Sequence, residues 1–459
     1  MGLTLSPAGA LFVDMAGGRW SNPAASHMAT TGQNKMPSIG TSLMDEARAM
    51  AYATPLEDFQ PHAVEHFTSD TLWPWFERLR AEDPVHYTAR SEYGPYWSIT
   101  RFDDIVACES DVERLSSSSA HGGITLFEPP EGSDPEQRSE ERASFISLDP
   151  PRHDAQRRAA APMFSTPSLV ELEPLIRSRA AEILDELPIG ETFDFVDRVA
   201  IELTSQMLAT LFDFPFEHRR RLPQFSDYLL SPRAEEAESR RQQSEMFMTL
   251  NMFVPLWSAR RGGDRRDDLI SLLANDPATD GGDNPQNYMG NIILLIVAGS
   301  DTTRHSITGG LLALDQHPEE YAKLRANPAL LESAVPEIIR WQSPVAYMRR
   351  TALADLEIGG KTIRKGEKVA MWYVSGNRDE RAIEQADRFI IDRARPRAHA
   401  AFGFGIHRCL GQRLAEMQLR VVWEEILKRF PVIEVVGEPT RLQSNFVKGY
   451  SHLPVRIPA

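Results

Sequence analysis

Of the two cysteines in this 459-residue chain, one stands in a setting suited to chemistry. Cys409 lies in the run Ala401-Phe402-Gly403-Phe404-Gly405-Ile406-His407-Arg408-Cys409-Leu410-Gly411, and an amphipathic pattern over 412–429 follows directly. A helix beginning there turns its free N–H groups and positive dipole end toward the sulfur, which favours a thiolate. The glycines let the backbone turn tightly and approach a flat ligand. A single thiolate so placed suits one iron, with N–H groups tuning the sulfur. Zinc or an iron–sulfur cluster would need more cysteines. The competing reading is a buried structural cysteine in a Gly-rich turn. Cys108 reads as a small buried apolar residue.

A second constellation lies in 288–316. Positions 291–298 are apolar all round, as in a helix buried along its centre, yet Gly299-Ser300-Asp301-Thr302-Thr303 follows. Glycine there costs ~1 kcal/mol, and an unpartnered buried carboxylate costs more. A broken local rule in a buried helix points to function. Gly299 would open room for a small ligand, and Asp301 with Thr302 would supply an acid and a hydroxyl for moving protons. The alternative is a kinked core helix with a capped acid.

Asp149-Pro150-Pro151 signals a helix start, and beyond it His153 and Arg157, four apart, share a face that can grip a carboxylate. In isolation this is an ordinary solvated basic turn. Glu337 and Arg340, three apart, can pair, as many surface residues do.

The cysteine run resembles the cytochrome P-450 family, the haem–thiolate monooxygenases, whose loop reads Phe-Gly-x-Gly-x-His/Arg-x-Cys-x-Gly. Phe402, Gly403, Gly405, His407, Cys409 and Gly411 match every defined position, and Ala298 to Thr303 matches the family's distal-helix pattern. The resemblance covers roughly 70–459. It implies a mainly α fold with a smaller β-rich region, one large domain over 61–459, with haem between the long helix and the cysteine loop. It further implies haem b (iron protoporphyrin IX) on the Cys409 thiolate, with O2 as co-substrate. Ala298, Gly299, Phe402, His407 and Gly411 would lie against the haem. His153 and Arg157 would bind one propionate and Arg350 the second, Arg349 being the less favoured assignment. Asp301 and Thr302 become the proton relay. Glu337, Arg340 and Arg388 become a buried structural network.

Several runs resemble specifically the bacterial alkane and fatty-acid terminal hydroxylases: Phe212-Asp213-Phe214-Pro215 and the stretches 337–344, 371–380, 403–427 and 444–450. An acidic insert at 128–143, and Ala298-Gly299-Ser300 where Gly-Gly-Asn is expected, depart from that group in the pocket roof and distal helix. Ile124, Leu126, Phe127, Val297, Val345, Ala346, Phe446 and Val447 are the expected substrate contacts. The substrate is read as a medium-chain alkane or fatty acid attacked at its terminus, where position rather than reactivity must decide. Rival readings are a terpene or cyclic-hydrocarbon hydroxylase, a non-catalytic haem sensor, and a peroxide-driven enzyme.

No Gly-x-Gly-x-x-Gly opens a βαβ unit, so electrons are expected from a ferredoxin and its NAD(P)H-dependent reductase. Arg408, Arg413, Lys428 and Arg429 are the expected docking cations. The net charge, 50 − 65 = −15, argues against a nucleic-acid partner. No apolar run reaches the ~18 residues of a membrane span, and two unlike cysteines fit a reducing bacterial cytoplasm. A monomer is expected.

The elements that must carry these residues follow. Positions 1–60, rich in Gly, Ala, Ser, Thr, Pro and Met, read as largely mobile. A helix is expected over 73–80, strands over 85–87 and 96–99, and a helix from 102 with Thr100 as cap. A long loop spans 116–143, amphipathic helices run from 166 to about 276, and strands lie at 356–358, 362–363 and 368–374. A hairpin loop over 445–450 closes the list.

Overall fold

The computed structural model describes residues 42–127, 134, 144–230, 236–263, 266–281 and 286–459. The acidic insert, Asp134 apart, and residues 1–41 lie outside them.

Order begins earlier than the composition suggests. Ser42 and Asp45 form a reciprocal capping box at the start of α1 (Leu43–Ala53), which satisfies donors that a helix end leaves free. Arg78, on α2 (Trp73–Glu82), donates to the carbonyls of Ala51 at 2.7 Å and Thr54 at 2.5 Å. Arg48 grips Glu77 bidentately at 2.7 Å. The expectation of a mobile 1–60 therefore fails from Ser42 onward. Tertiary anchoring, not propensity, stabilises a helix this short.

The strands β1 (Val85–Thr88) and β2 (Tyr96–Ile99) pair antiparallel around the turn at Gly94. They lead into α3 (Phe102–Ser110). Thr100 does not cap that helix, because its hydroxyl donates to the Pro84 carbonyl at 3.0 Å. Asp379, distant in sequence, accepts from Phe102 N–H at 2.9 Å instead. After β3 (Leu115–Ser116) the chain enters α4 (Arg152–Ala160) and α5 (Thr166–Asp185). The Ser165 hydroxyl caps α5 by accepting from Ser168 N–H. A π-helical turn, Val196–Ile201, opens the expected helix before α6 (Glu202–Phe212). α7 (Arg221–Leu230) follows.

The long helix α8 (Gln286–Gln316) runs unbroken through the largest core cluster. It packs against α6, α7, α9 (Leu331–Gln342) and α10 (Gln412–Arg429), and α10 also lies along α5. Between α9 and α10 come β4 (Tyr347–Ala352) and β5 (Lys368–Trp372). They complete a five-stranded sheet in the order β1-β2-β5-β4-β3, with only β2–β5 parallel. β5 stops at Trp372, short of the expected 374, because Tyr373–Gly376 turns helical. The predicted mainly α fold with a smaller β region is what the structure holds.

Candidate functional site

The cysteine loop holds its shape through two glycines in the left-handed region, Gly403 at φ 64° and Gly405 at φ 63°. That region is costly for a side chain. A Cβ at Gly405 would also fall 2.3 Å from the Glu109 carbonyl on α3. The Cys409 N–H closes the loop onto the Phe402 carbonyl at 2.8 Å. Gly411, the N-cap of α10, turns its N–H to the sulfur. Burial nevertheless pushes the thiol up, against the Gly411 N–H, Arg157 and Arg408, which pull it down. The helix end therefore does not ionise this sulfur unaided, as the sequence reading supposed. A coordinated metal does so outright. The Cys409 side chain reaches accessible space while protein desolvates it, so the space is a cleft within the fold. Cys108 is buried among Asp104, Glu109 and Asp111, and its thiol is driven far up.

α8 offers the complementary surface. In its middle Ile292, Leu295, Ile296, Ser300, Asp301 and Thr303 are buried. Leu294 and Thr302 are partly accessible, and Ala298 is exposed. These three recur every four residues, so one stripe of a core helix faces open space. Val297 is half-buried beside it. The Thr302 hydroxyl, on the stripe, donates to the Ala298 carbonyl at 2.9 Å.

Gly299 and Asp301 point elsewhere. A Cβ at Gly299 would lie 2.8 Å from Leu208 Cδ2. This glycine thus admits a close approach of α6, and the helix runs on unbroken through it. Asp301 faces α7: its Oδ2 accepts from the Ser226 hydroxyl at 2.6 Å, and Oδ1 pairs with Arg304 at 2.8 Å. Arg304 also reaches Asp227. Burial raises the Asp301 carboxyl to about 6, with Arg304 and Ser226 opposing.

A polar cradle borders the cysteine loop. Asp149 accepts from the Ser116 hydroxyl and from Ser117 N–H at 3.1 Å, fixing Ser117. The Ser117 hydroxyl lies 2.8 Å from His407 Nε2. His153 meets His407 edge-on, with ring centroids 4.4 Å apart. His153 Nε2 and His407 Nδ1 are buried without a hydrogen-bond partner. Desolvation lowers His407 to about 2, so its ring is neutral. Arg157 donates to the Arg408 carbonyl and lies close enough to Cys409 to feel its charge. Two orphaned ring nitrogens and a guanidinium beside an open cysteine suit the carboxylate edge of a haem, and this is the donor set that group requires. Arg350 is buried against Glu109 at 3.1 Å. No group of three or more metal-ligating His, Cys, Asp or Glu side chains exists among the described residues.

Leu126, Ala346 and Tyr347 share one apolar cluster, with Phe446 packed on it, and Val345 bridges Val447. Phe127 departs from expectation: it is 49% exposed and only meets Tyr93 edge-on. Ile124 reaches β4 through its backbone, its carbonyl accepting from Arg349 N–H. Arg349 does not clamp a propionate either. It donates to the carbonyls of His121 (3.1 Å) and Thr125 (3.2 Å), stapling the roof loop to β4.

The structural network needs one correction. Glu337 and Arg340 pair bidentately at 2.7 and 2.8 Å in full burial. The third cation is Arg393, whose Nε reaches Glu337 Oε2 at 2.9 Å. Arg388 contributes its carbonyl, while its side chain turns out to Gln385. Lys428 and Arg429 are also displaced as docking cations. They lie ~24 Å along α10 from its start, paired with Glu425 and, for Arg429, Asp185. Arg408 and Arg413 remain exposed near the cysteine.

The family model for cytochrome P450 matches residues 193–453. Linalool 8-monooxygenase of Pseudomonas putida is 36% identical over 83% of this chain and 94% of its own. The methyl-branched lipid omega-hydroxylase of Mycobacterium tuberculosis is 31% identical over 83% and 90%. Among solved structures, cytochrome P450-153 from Novosphingobium aromaticivorans superposes with a TM-score of 0.80 at 41% identity, covering 87% of this chain and 99% of the other.

Proposed function

The chain belongs to the cytochrome P450 family and is a haem–thiolate monooxygenase that uses O2; from this premise we propose that it hydroxylates the terminal carbon of medium-chain alkanes or fatty acids. Haem, when bound, supplies the activation of dioxygen, and the protein supplies ligand, orientation and proton handling. Cys409 is the ligand, its sulfur addressed by the Gly411 N–H. His153, His407 and Arg157 would hold its carboxylate edge. Thr302 offers its hydroxyl on the open stripe of α8 to pass a proton. Asp301, on the far side, stores one, with Ser226 and Arg304 setting its charge.

The observation that carries the substrate class is that Val297, Val345 and Phe446, all apolar, are only half-buried within the fold. Apolar surface left open in a cleft suits a hydrocarbon chain. The relative named as a methyl-branched lipid omega-hydroxylase supports the same choice. Electrons come from a ferredoxin and its reductase, with Arg408 and Arg413 meeting an acidic partner.

A second reading, a monoterpene alcohol as substrate, is favoured by the 36% identity to linalool 8-monooxygenase. Spin-state titration of the haem-loaded protein with alkanes, fatty acids and linalool, followed by product analysis, separates the two. A spin shift and a terminal alcohol with linear chains are expected. A response to linalool alone would overturn the first reading. Turnover with ferredoxin and reductase, but little with peroxide, is expected for the electron supply.

A further inference from the structure

Lys448 follows Phe446 and Val447 in the 445–450 hairpin, yet its ammonium ends among residues from distant parts of the chain. Asp70 and Trp73 stand around the start of α2, and Trp341 and Gln342 at the end of α9. Arg378 lies beyond the helical turn that follows β5, and Arg441 on the strand Thr440–Arg441. The Lys448 side chain is 7% accessible. An ammonium brings three donors, and the acceptor in reach is the Gln342 carbonyl at 3.4 Å. Asp70 Oδ1 stands 3.9 Å away, beyond hydrogen-bond range, and is itself buried without a partner.

Arg378 and Arg441 repeat the pattern. Each commits one Nη, to the Asp387 carbonyl at 3.4 Å and to Asp70 Oδ2 at 3.2 Å respectively, and each has a buried Nε–H without an acceptor among the described residues. Buried polar groups are ordinarily paired. Trp341 and Trp73 face Arg378, with ring centroids 3.4 and 4.3 Å from its guanidinium carbon, and Lys448 Nζ is 5.3 Å from the Trp73 centroid. Aromatic faces attract cations but bring no net charge. Three cations therefore meet one carboxylate, Asp70, which Arg441 already holds. Arg340 and Arg80 also act on Arg378, and so does Glu337, which Arg340 and Arg393 hold. Desolvation brings the Lys448 amine down to about 8, with Asp70 opposing and Arg378 and Arg441 adding to the fall.

We propose that this recess is an anion site, in which a small monovalent anion, chloride or another halide, binds the Lys448 ammonium in the field of Arg378 and Arg441. A monatomic ion suits it, because both arginines have part of their fork committed and cannot grip a phosphate or carboxylate bidentately. Entry is from the side of Asp70, which is 31% accessible. The ion would brace the hairpin. Lys448 N–H donates to the Pro344 carbonyl at 2.8 Å, its carbonyl accepts from Gln342 Nε2 at 2.7 Å, and the adjacent Val447 bridges Val345. A ligand that binds only the folded chain raises its stability with concentration, toward a dependence set by its affinity.

The test uses the haem-loaded protein. Crystals soaked in bromide should show an anomalous peak in contact with Lys448 Nζ. In solution at constant ionic strength, replacing gluconate by chloride should raise the melting temperature, and Lys448→Met should lose that response. The bromide arm needs no variant, so it decides even if Lys448→Met fails to fold. No peak at Lys448, or an equal chloride response in Lys448→Met, overturns the proposal. A bromide peak without any chloride response marks an adventitious ion only and overturns it as well, as does stabilisation by phosphate but not by halide.

Discussion

Cys409 is surrounded by protein, and desolvation keeps its thiol above the ordinary range although Gly411, Arg157 and Arg408 work against it. As the proposed haem ligand it would be held as thiolate by the bound iron, so Cys409→Ser should abolish the red-shifted ferrous carbon-monoxide band. Retention of that band would refute the ligand assignment. Asp301 shows burial acting on a carboxyl, raised to about 6 from 3.8. Between about pH 4 and 6 the folded protein holds a proton here that the unfolded chain releases, so this group's contribution to stability declines as pH rises through that window. The whole effect is at most on the order of 3 kcal/mol. In denaturant unfolding, Asp301→Asn should gain stability relative to wild type as pH rises through that window, and a difference that does not change with pH would mean that the Asp301 carboxyl is not raised. Thr302, one residue on, lies on the accessible stripe while Asp301 does not. Adjacent positions on a helix diverge by about 100°, the angular step of 3.6 residues per turn.

Among the elements, α9 and the segment that follows β5 are joined by one buried carboxylate. Glu337 is fully buried and receives Arg340, Arg393 and the Ile390 N–H. Arg393→Ala removes one of its two cations and should cost roughly 3 kcal/mol in unfolding free energy, the low end for breaking a buried pair. Arg388→Ala should stay within about 0.5 kcal/mol, as exposed substitutions do. Equal losses would restore Arg388 to the network that the resemblance implied. Spacing made the pair on one helical turn legible, since residues three apart face each other whatever surrounds them. The third partner was not legible, because the path of the chain between 377 and 393 decides which arginine turns inward. The same limit applies to Arg349 and Arg350. They are neighbours on β4, so their side chains leave opposite faces, one to the roof loop and one to Glu109.

At the scale of the whole molecule, α1 lies outside the main core yet is fastened to α2 through Arg48 and Arg78. A chain beginning at Pro55 should melt below one beginning at Ser42, because Arg78 would lose its Ala51 and Thr54 acceptors and the apolar cluster would lose Ala51; equal melting temperatures would show α1 to be dispensable. The sequence by itself determined the cysteine loop with its following helix and the buried helix that carries Asp301 and Thr302, and its resemblance to a known family implied the mainly α class. The loop and the helices are set by residues within a turn or two of one another, where backbone geometry leaves little freedom. Tertiary structure alone decided that Gly299 admits Leu208, and that Arg393 serves Glu337. It also decided that Glu109 reaches Arg350 across 241 positions of sequence. Partners so distant are selected by packing and desolvation, which act only once the chain has closed around them.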